Sequence, residues 1–174
     1  MISTHTPPIN DLPPLKAKNV NGKRFYEQLE TKEAYPSITS VLSIRDKKVK
    51  AELIPHCGMT KGGVASATPD GKIYYCPQRI ANIDWNFPGA VDFFILHEYG
   101  HIVLQSGNEL EVDCWTAYEF SLMKDKKSKK SIKEALKFIR GFKLPDPKYG
   151  GTGEDRALLI ENCMKHGADF YKNN

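Results

Sequence analysis

The chain has 174 residues, of which 40% are hydrophobic and 26% are charged, a composition typical of one soluble globular domain. The formal net charge is +4, and no apolar run approaches the roughly 18 residues of a membrane-spanning helix. The N-terminus carries no apolar segment of a secretory signal, which favours a cytoplasmic protein over an exported mature form. Composition and charge therefore exclude a membrane span but do not indicate a function.

The N-terminal third of the chain is predicted to begin with an extended arm. Residues 1–20 contain four prolines, which favour such an arm ahead of a single domain over residues 21–174. Residues 22–34 are polar and compatible with a helix, which Pro36 would end. Residues 37–55 carry β-branched side chains typical of one or two strands.

A β-hairpin is predicted from about Gly62 to Cys76. Two short apolar segments flank Pro69, Asp70 and Gly71. Asp is well tolerated in a turn, and Gly supplies the positive φ that a tight turn requires.

Four helices are predicted in the C-terminal half. The first has Pro88 in its first turn and runs to Gln105 or Ser106, where Gly107 ends it. The second begins near Glu109, after Asn108, the third covers residues 131–142 and ends near Gly141, and the last covers residues 154–171. The inward side chains of the last helix are predicted to be Ala157, Leu158, Ile160, Cys163 and Met164. Because strands precede helices, the predicted fold class is α+β, with a small antiparallel sheet or hairpin packed on a helix.

The first of these helices contains an H-E-x-x-H motif, formed by His97, Glu98 and His101. Histidines four residues apart lie on one face of an α-helix, so both imidazoles can bind a single metal ion, for which zinc is the usual choice. Glu98 is then near enough to act on a water molecule at that ion. Apolar neighbours would exclude bulk water from the site. The alternative is a pair of core histidines satisfied by backbone or carboxylate groups.

A catalytic zinc site needs a third protein ligand, and the following segment supplies several acids. The residues from Phe93 to Phe120 resemble the gluzincin-type HExxH metallopeptidases, especially the prenyl-protein-processing and heat-shock membrane zinc peptidases and the bacterial neutral zinc metallopeptidases. This resemblance implies a zincin-like domain in which Glu109 is the third zinc ligand and Asp113 orients a ligand histidine. The chain departs from the family at Val112 and Thr116, where the family has alanine, and in the short spacing between the motif and Glu109.

Helix geometry alone favours a different acid. If two antiparallel helices reverse at Gly107, His101 lies about 9 Å from the turn at ~1.5 Å per residue. The residue level with His101 on the returning helix is then Asp113, which is therefore the alternative third ligand. Glu111 falls on another face and is predicted to be solvated.

Weaker signals surround this motif. The segment Gly62–Ala67 is a candidate strand for binding an extended peptide through main-chain hydrogen bonds. Arg156 is the first candidate for stabilising an oxyanion, with His166 and Tyr149 as further candidates. Trp85 and Trp115 are predicted to be core residues. His5 and His56 fit no motif.

The resemblance predicts a zinc-dependent endopeptidase that binds one zinc ion and hydrolyses a peptide or protein substrate. A zinc-activated water would attack the peptide bond, with Glu98 as the general base. One alternative is a non-catalytic zinc-binding protein of the zincin fold that binds a partner. The other is a basic module that binds anionic polymers through Lys124–Lys130, although no aromatic residues interleave these lysines and no nucleic-acid partner is expected.

The four cysteines permit either two disulfides or four thiols. Cys57 and Cys76 flank the predicted hairpin, so a bridge between them is compatible with the predicted elements, as is one between Cys114 and Cys163. Cysteine spacing decides neither the pairing nor the redox state.

Overall fold

The computed structural model of the chain describes the backbone of residues 19–20 and 23–24 and the structure of residues 51–167. Strands β1 (Asn19–Val20) and β2 (Lys23–Arg24) form a short antiparallel pair. The helix predicted to begin at Gly22 is therefore wrong at its start. The rest of that helix, nearly all of the N-terminal arm, His5 and most of the strand region before residue 51 lie outside the described residues.

A three-stranded sheet follows, made of β3 (Glu52–Pro55), β4 (Ala65–Thr68) and β5 (Lys72–Tyr75) in the order β3-β5-β4. Strands β4 and β5 form the predicted hairpin, and Gly71 in its turn has the expected positive φ, 93°. Strand β4 starts at Ala65 rather than Gly62, because Gly62 lies in a turn with φ 86°.

The prediction of an antiparallel sheet is wrong, because β3 pairs with β5 in parallel and the sheet is mixed. The short helix α1 (Cys57–Thr60) carries the chain from β3 towards β4. The hairpin partner β4 already occupies one side of β5, so β3 adds to the other side. A disulfide between Cys57 and Cys76 joins the start of α1 to the end of β5.

Five further helices complete the described part of the chain, and a 3-10 turn at Pro147–Tyr149 precedes the last of them. They are α2 (Pro77–Asn86), α3 (Val91–Leu104), α4 (Glu109–Ser121), α5 (Lys126–Arg140) and α6 (Gly153–His166). Together with the small sheet they confirm the α+β class. None of the helices in the described residues has the length and apolar character needed to cross a membrane.

Helix α2 was not predicted, and it changes the role of Pro88. The proline at the first helical position is Pro77, where its missing N–H is not needed. Pro88 instead lies in the turn between α2 and α3, where Gly89 adopts a φ of 89°.

Helix α5 also begins earlier than predicted, at Lys126, because Asp125 caps it by accepting a hydrogen bond from the Ser128 N–H. The Lys124–Lys130 lysines are exposed around this helix start.

Helix α3 lies at the centre of the part of the chain described between residues 51 and 167. Every residue from Val91 to Ile102 is buried, which explains why the helix is apolar around its whole circumference. It packs against α2, α4, α5 and the sheet, with β4 alongside it.

Three predicted core residues lie outside α3. Trp115 is buried as predicted, but Trp85 and Leu158 are not, because 42% and 53% of their surfaces are exposed.

Candidate metal centre

The site begins with two imidazoles one turn apart on α3. His97 and His101 are both fully buried, and their Nε2 atoms lie 3.2 Å apart. The four-residue spacing on a straight helix brings the rings to the same face, as the sequence predicted. Since the surrounding α3 side chains are apolar and buried, the two rings are held in a site from which bulk water is excluded.

Glu109, the first residue of α4, completes a triangle with these rings. Its Oε1 atom lies 3.1 Å from His97 Nε2 and 2.6 Å from His101 Nε2. Three donors held about 2.0–2.2 Å from a tetrahedral zinc ion stand roughly 3.4 Å apart. The observed triangle is slightly smaller, so a small outward movement of the side chains would admit one ion. Two imidazoles and a carboxylate are also a donor set that zinc accepts.

The opposite nitrogen of each ring faces an oxygen atom. His97 Nδ1 lies 2.9 Å from Asp113 Oδ1, and His101 Nδ1 lies 2.7 Å from the Ser106 carbonyl oxygen. Such partners favour a proton on Nδ1 and leave Nε2 as the ligand atom, and they also fix the plane of each ring. Both rings are therefore oriented for binding on the side that Glu109 approaches.

Electrostatics at His97 favour a strongly basic ring. Burial would lower its pKa, but the hydrogen bond and charge of Asp113, together with Glu109, raise the pKa of His97 to about 9. Burial likewise opposes ionisation of Asp113, yet the charge of Arg156 and the contact with His97 hold the pKa of that carboxyl below its usual value. An ionised partner that raises ligand basicity is the arrangement found around metal-binding histidines.

The structure places Glu109, rather than Asp113, beside both Nε2 atoms. The resemblance to gluzincin-type peptidases implied Glu109 as the third ligand, whereas the helix-reversal estimate favoured Asp113. That estimate placed the reversal at Gly107, but α3 already ends at Leu104, and the next residue, Gln105, adopts a left-handed φ of 49°. With the reversal centred there, His101 faces Glu109 and His97 faces Asp113. Glu111 lies exposed, as predicted.

Gly100 allows α4 to approach α3 closely enough for these contacts. A Cβ atom at position 100 would lie 2.7 Å from the Trp115 ring and 2.9 Å from a Val112 methyl group. Both distances are below normal van der Waals contact, so a larger residue would push the helices apart. The neighbours that approach Gly100 are side chains of α4.

Glu98 is fully buried beside the triangle. Its Oε2 atom lies 3.9 Å from His97 Nε2, and its Oε1 atom accepts a hydrogen bond of 3.1 Å from the Ala67 N–H of β4. Burial raises the pKa of this carboxyl well above its usual value, although the neighbouring His97 partly opposes the rise. Ligand atoms of His97, Glu98 and His101 all lie within 4.8 Å of one another, so Glu98 is also near enough to bind an ion. The shorter contacts of Glu109 make it the better ligand.

Arg156 and Tyr149, two of the three oxyanion candidates, lie behind the acids. The Arg156 guanidinium contacts Asp113 at 2.8 and 2.9 Å, and its Cζ atom lies 4.1 Å from the centre of the Tyr149 ring. The Tyr149 hydroxyl lies 3.4 Å from Glu109 Oε2. Burial raises the Tyr149 pKa far above its usual value, so the hydroxyl remains a donor. His166 is exposed at the end of α6.

Two backbone groups of the site were not predicted, namely the Ala67 amide and the Ser106 carbonyl. Main-chain groups have no sequence signature of their own. The predicted hairpin strand was the only signal for the Ala67 amide.

Both cysteine pairs that the sequence permitted are disulfides, and the Cys114–Cys163 bridge joins α4 to α6 one residue beyond Asp113.

No protein-family model matches this chain, and no characterised protein or solved structure is detectably similar to it. The inferences that follow therefore rest on the residues and on their arrangement.

Proposed function

We propose that this protein is a zinc-dependent endopeptidase of the gluzincin type, with a zincin-like domain that binds one zinc ion through His97, His101 and Glu109. The observation that carries this proposal is the convergence of two Nε2 atoms and one carboxylate oxygen within 2.6–3.2 Å of one another. Each imidazole also has an oxygen atom facing its opposite nitrogen, as metal-binding histidines almost always do. A core histidine can have such a partner too, so the convergence of the Nε2 atoms on Glu109 carries the proposal.

Zinc at this site would lower the pKa of a water molecule towards 7 and polarise the carbonyl of a substrate. The chain supplies the proton transfers. Glu98 is held by the Ala67 amide next to the two histidines, and burial makes its carboxylate more basic than usual. A base with a raised pKa accepts a proton from water more readily and can then donate it to the leaving amine of the cleaved peptide bond. Glu98 is therefore the proposed general base.

Strand β4 is the candidate for pairing with an extended peptide substrate, and it contacts the proposed base. Strand β4 lies at the edge of the described sheet. Since Val64 O accepts a hydrogen bond from Cys76 N and the pattern alternates along an antiparallel pair, the main-chain groups of Ala65 and Ala67 point away from β5. The Ala67 N–H points at Glu98. Ala65, Ser66 and Ala67 are fully buried, and the Ala67 N–H is already bonded to Glu98. An extended peptide could therefore pair with this strand, next to the proposed base, only if the groups that cover the strand moved away.

The two disulfides bear on where the protein acts. Disulfides persist in oxidising compartments and are rare in the cytoplasm. Both pairs here connect elements around the site: Cys57–Cys76 beside the sheet and Cys114–Cys163 beside α4. They favour the exported mature form over the cytoplasmic protein that the N-terminal sequence suggested.

A non-catalytic zinc protein of the same fold is the alternative, and Glu98 distinguishes the two. The test measures zinc content and cleavage of a denatured protein substrate for the wild-type chain and for Glu98→Gln, with the products identified by mass spectrometry. We expect Glu98→Gln to retain zinc and to lose at least 99% of cleavage, since general-base catalysis contributes roughly 10²–10⁴-fold. Glu134→Gln, a change in a partly exposed carboxylate on α5, serves as the matched control and should behave like the wild type.

Two results would count against this proposal. The first is full cleavage by Glu98→Gln, which would reject Glu98 as the general base, and the second is a zinc-loaded wild-type chain that cleaves no peptide in a broad peptide library, which would reject the hydrolase. The second result would leave the non-catalytic zinc protein as the better interpretation.

A further inference from the structure

A buried arginine connects α6 to the back of the candidate metal centre. Arg156 Nε lies 2.8 Å from Asp113 Oδ2, and its terminal nitrogen lies 2.9 Å from Oδ1. Only 5% of the Arg156 surface and none of the Asp113 surface is exposed. A bidentate pair of this kind fixes the plane of the carboxylate as well as its position. The Oδ1 atom held in this way is the one that faces His97 Nδ1.

The same arginine also contacts the tyrosine that holds the third candidate ligand. The Tyr149 ring packs against the Arg156 guanidinium, 4.1 Å from Cζ to the ring centre. Its hydroxyl donates a long hydrogen bond of 3.4 Å to Glu109 Oε2, while the other carboxylate oxygen, Oε1, contacts both imidazoles. Arg156 therefore contacts two residues that reach the candidate metal centre. Asp113 faces His97, and Tyr149 contacts Glu109.

We propose that Arg156 and Tyr149 are positioning residues of the metal centre: Arg156 acts through Asp113 on His97, and Tyr149 acts directly on Glu109. This inference rests on the proposed zinc site but not on peptide hydrolysis. It gives Arg156 a role different from the oxyanion stabiliser that the sequence suggested. Its guanidinium is engaged by Asp113, whose Oδ1 atom faces His97 Nδ1, the nitrogen opposite the candidate ligand atom.

The alternative role of the ion pair is purely structural, as a tether between α4 and α6. The fold already has such a tether, because the Cys114–Cys163 disulfide joins the same two helices at the residue next to Asp113. An additional buried pair adds little as a tether, since the desolvation of two charges offsets much of their attraction. Orientation of a ligand histidine is a role that the disulfide does not perform.

The test measures the zinc dissociation constant of the full chain by competition with a chromophoric chelator. Loss of a group that orients a metal ligand commonly weakens metal binding by roughly 10–100-fold, and we expect a weakening of this size for Arg156→Met. Arg156→Lys, which retains the charge but not the two-pronged contact, should fall between the wild type and Arg156→Met. Arg140→Met is the control, because Arg140 also joins α6 to a neighbouring helix but lies away from the site.

A double-variant cycle shows through which residue each group acts. If Arg156 acts through Asp113, Arg156→Met causes no further loss of zinc affinity in an Asp113→Asn background. Tyr149→Phe removes one long hydrogen bond to the Glu109 carboxylate and should weaken zinc binding by roughly 2–10-fold. That loss should persist in the Asp113→Asn background, because Tyr149 reaches the centre through Glu109.

Urea unfolding of the metal-free variants separates positioning from folding. If Arg156→Met lowers the unfolding midpoint and leaves the zinc dissociation constant unchanged, the pair is structural and the inference is wrong. Equal losses from Arg156→Met with and without Asp113→Asn would also overturn it. If the affinities follow the expected pattern but no peptide is cleaved, the inference stands and the hydrolase proposal fails. A wild-type chain without zinc affinity would end both.

Discussion

Arg140 and Arg156 form similar ion pairs in different surroundings. Arg140 of α5 contacts Glu154 and Glu161 of α6, with about a third of its side chain (34%) exposed. Arg156 of α6 contacts Asp113 of α4 with 6% of its side chain exposed. Water competes for the hydrogen bonds of the Arg140 pair and solvates its charges when the pair breaks. The buried Arg156 pair has little access to water, so its charges would remain unsolvated if the pair broke. Burial therefore indicates better than residue type which of the two ion pairs matters to the site.

The largest difference is expected when the carboxylate of each pair is removed. Asp113→Ala leaves the Arg156 charge buried and should lower the free energy of unfolding by about 3–5 kcal/mol. Glu161→Ala should cost about 0–1 kcal/mol, since Glu154 remains as a partner of Arg140. Urea denaturation of both variants measures the difference. Equal losses would show that burial does not distinguish the two pairs.

A smaller effect is expected from the helix contact that brings Asp113 to His97. Gly100→Ala forces a methyl group against Trp115 and Val112, and such overpacking costs about 1–3 kcal/mol. The gain in helix propensity of up to ~1 kcal/mol offsets part of this cost. We expect a lower unfolding midpoint and weaker zinc binding, because α4 is displaced from α3.

Gly107→Ala is the matched control, since a methyl group at position 107 meets no atom within 4 Å. It should leave zinc affinity unchanged. A loss of affinity in both variants would point to a general effect of glycine replacement rather than to helix spacing.

The smallest effect is expected at the two helix caps. The Asn108 side chain accepts hydrogen bonds from the Leu110 and Glu111 N–H groups at the start of α4, and Asp125 caps α5 in a comparable way. Asn108→Ala should cost about 1 kcal/mol and also weaken zinc binding, because the first turn of α4 carries Glu109. Asp125→Ala should leave zinc binding unchanged. Isothermal titration of both variants checks this, and equal zinc affinities would contradict the prediction.

The sequence by itself determined the local features of this protein. The four-residue spacing of His97 and His101 fixed a shared helix face, and the apolar residues around them predicted burial. Turn chemistry located the hairpin at Gly71, and Gly107 with Asn108 placed the start of α4 at Glu109. These features depend on periodicity, on φ preferences and on neighbours within a few positions, all of which can be read along the chain.

Only the tertiary structure decided which distant groups meet. Helix α3 ends at Leu104 because Gln105 adopts a left-handed backbone conformation, which a glutamine does not signal. This end determines that Glu109 rather than Asp113 faces both Nε2 atoms. The parallel pairing of β3, the disulfide between α4 and α6 and the contact of Arg156 with Asp113 likewise join residues far apart in sequence. Such contacts depend on how whole elements pack, and no local preference encodes them.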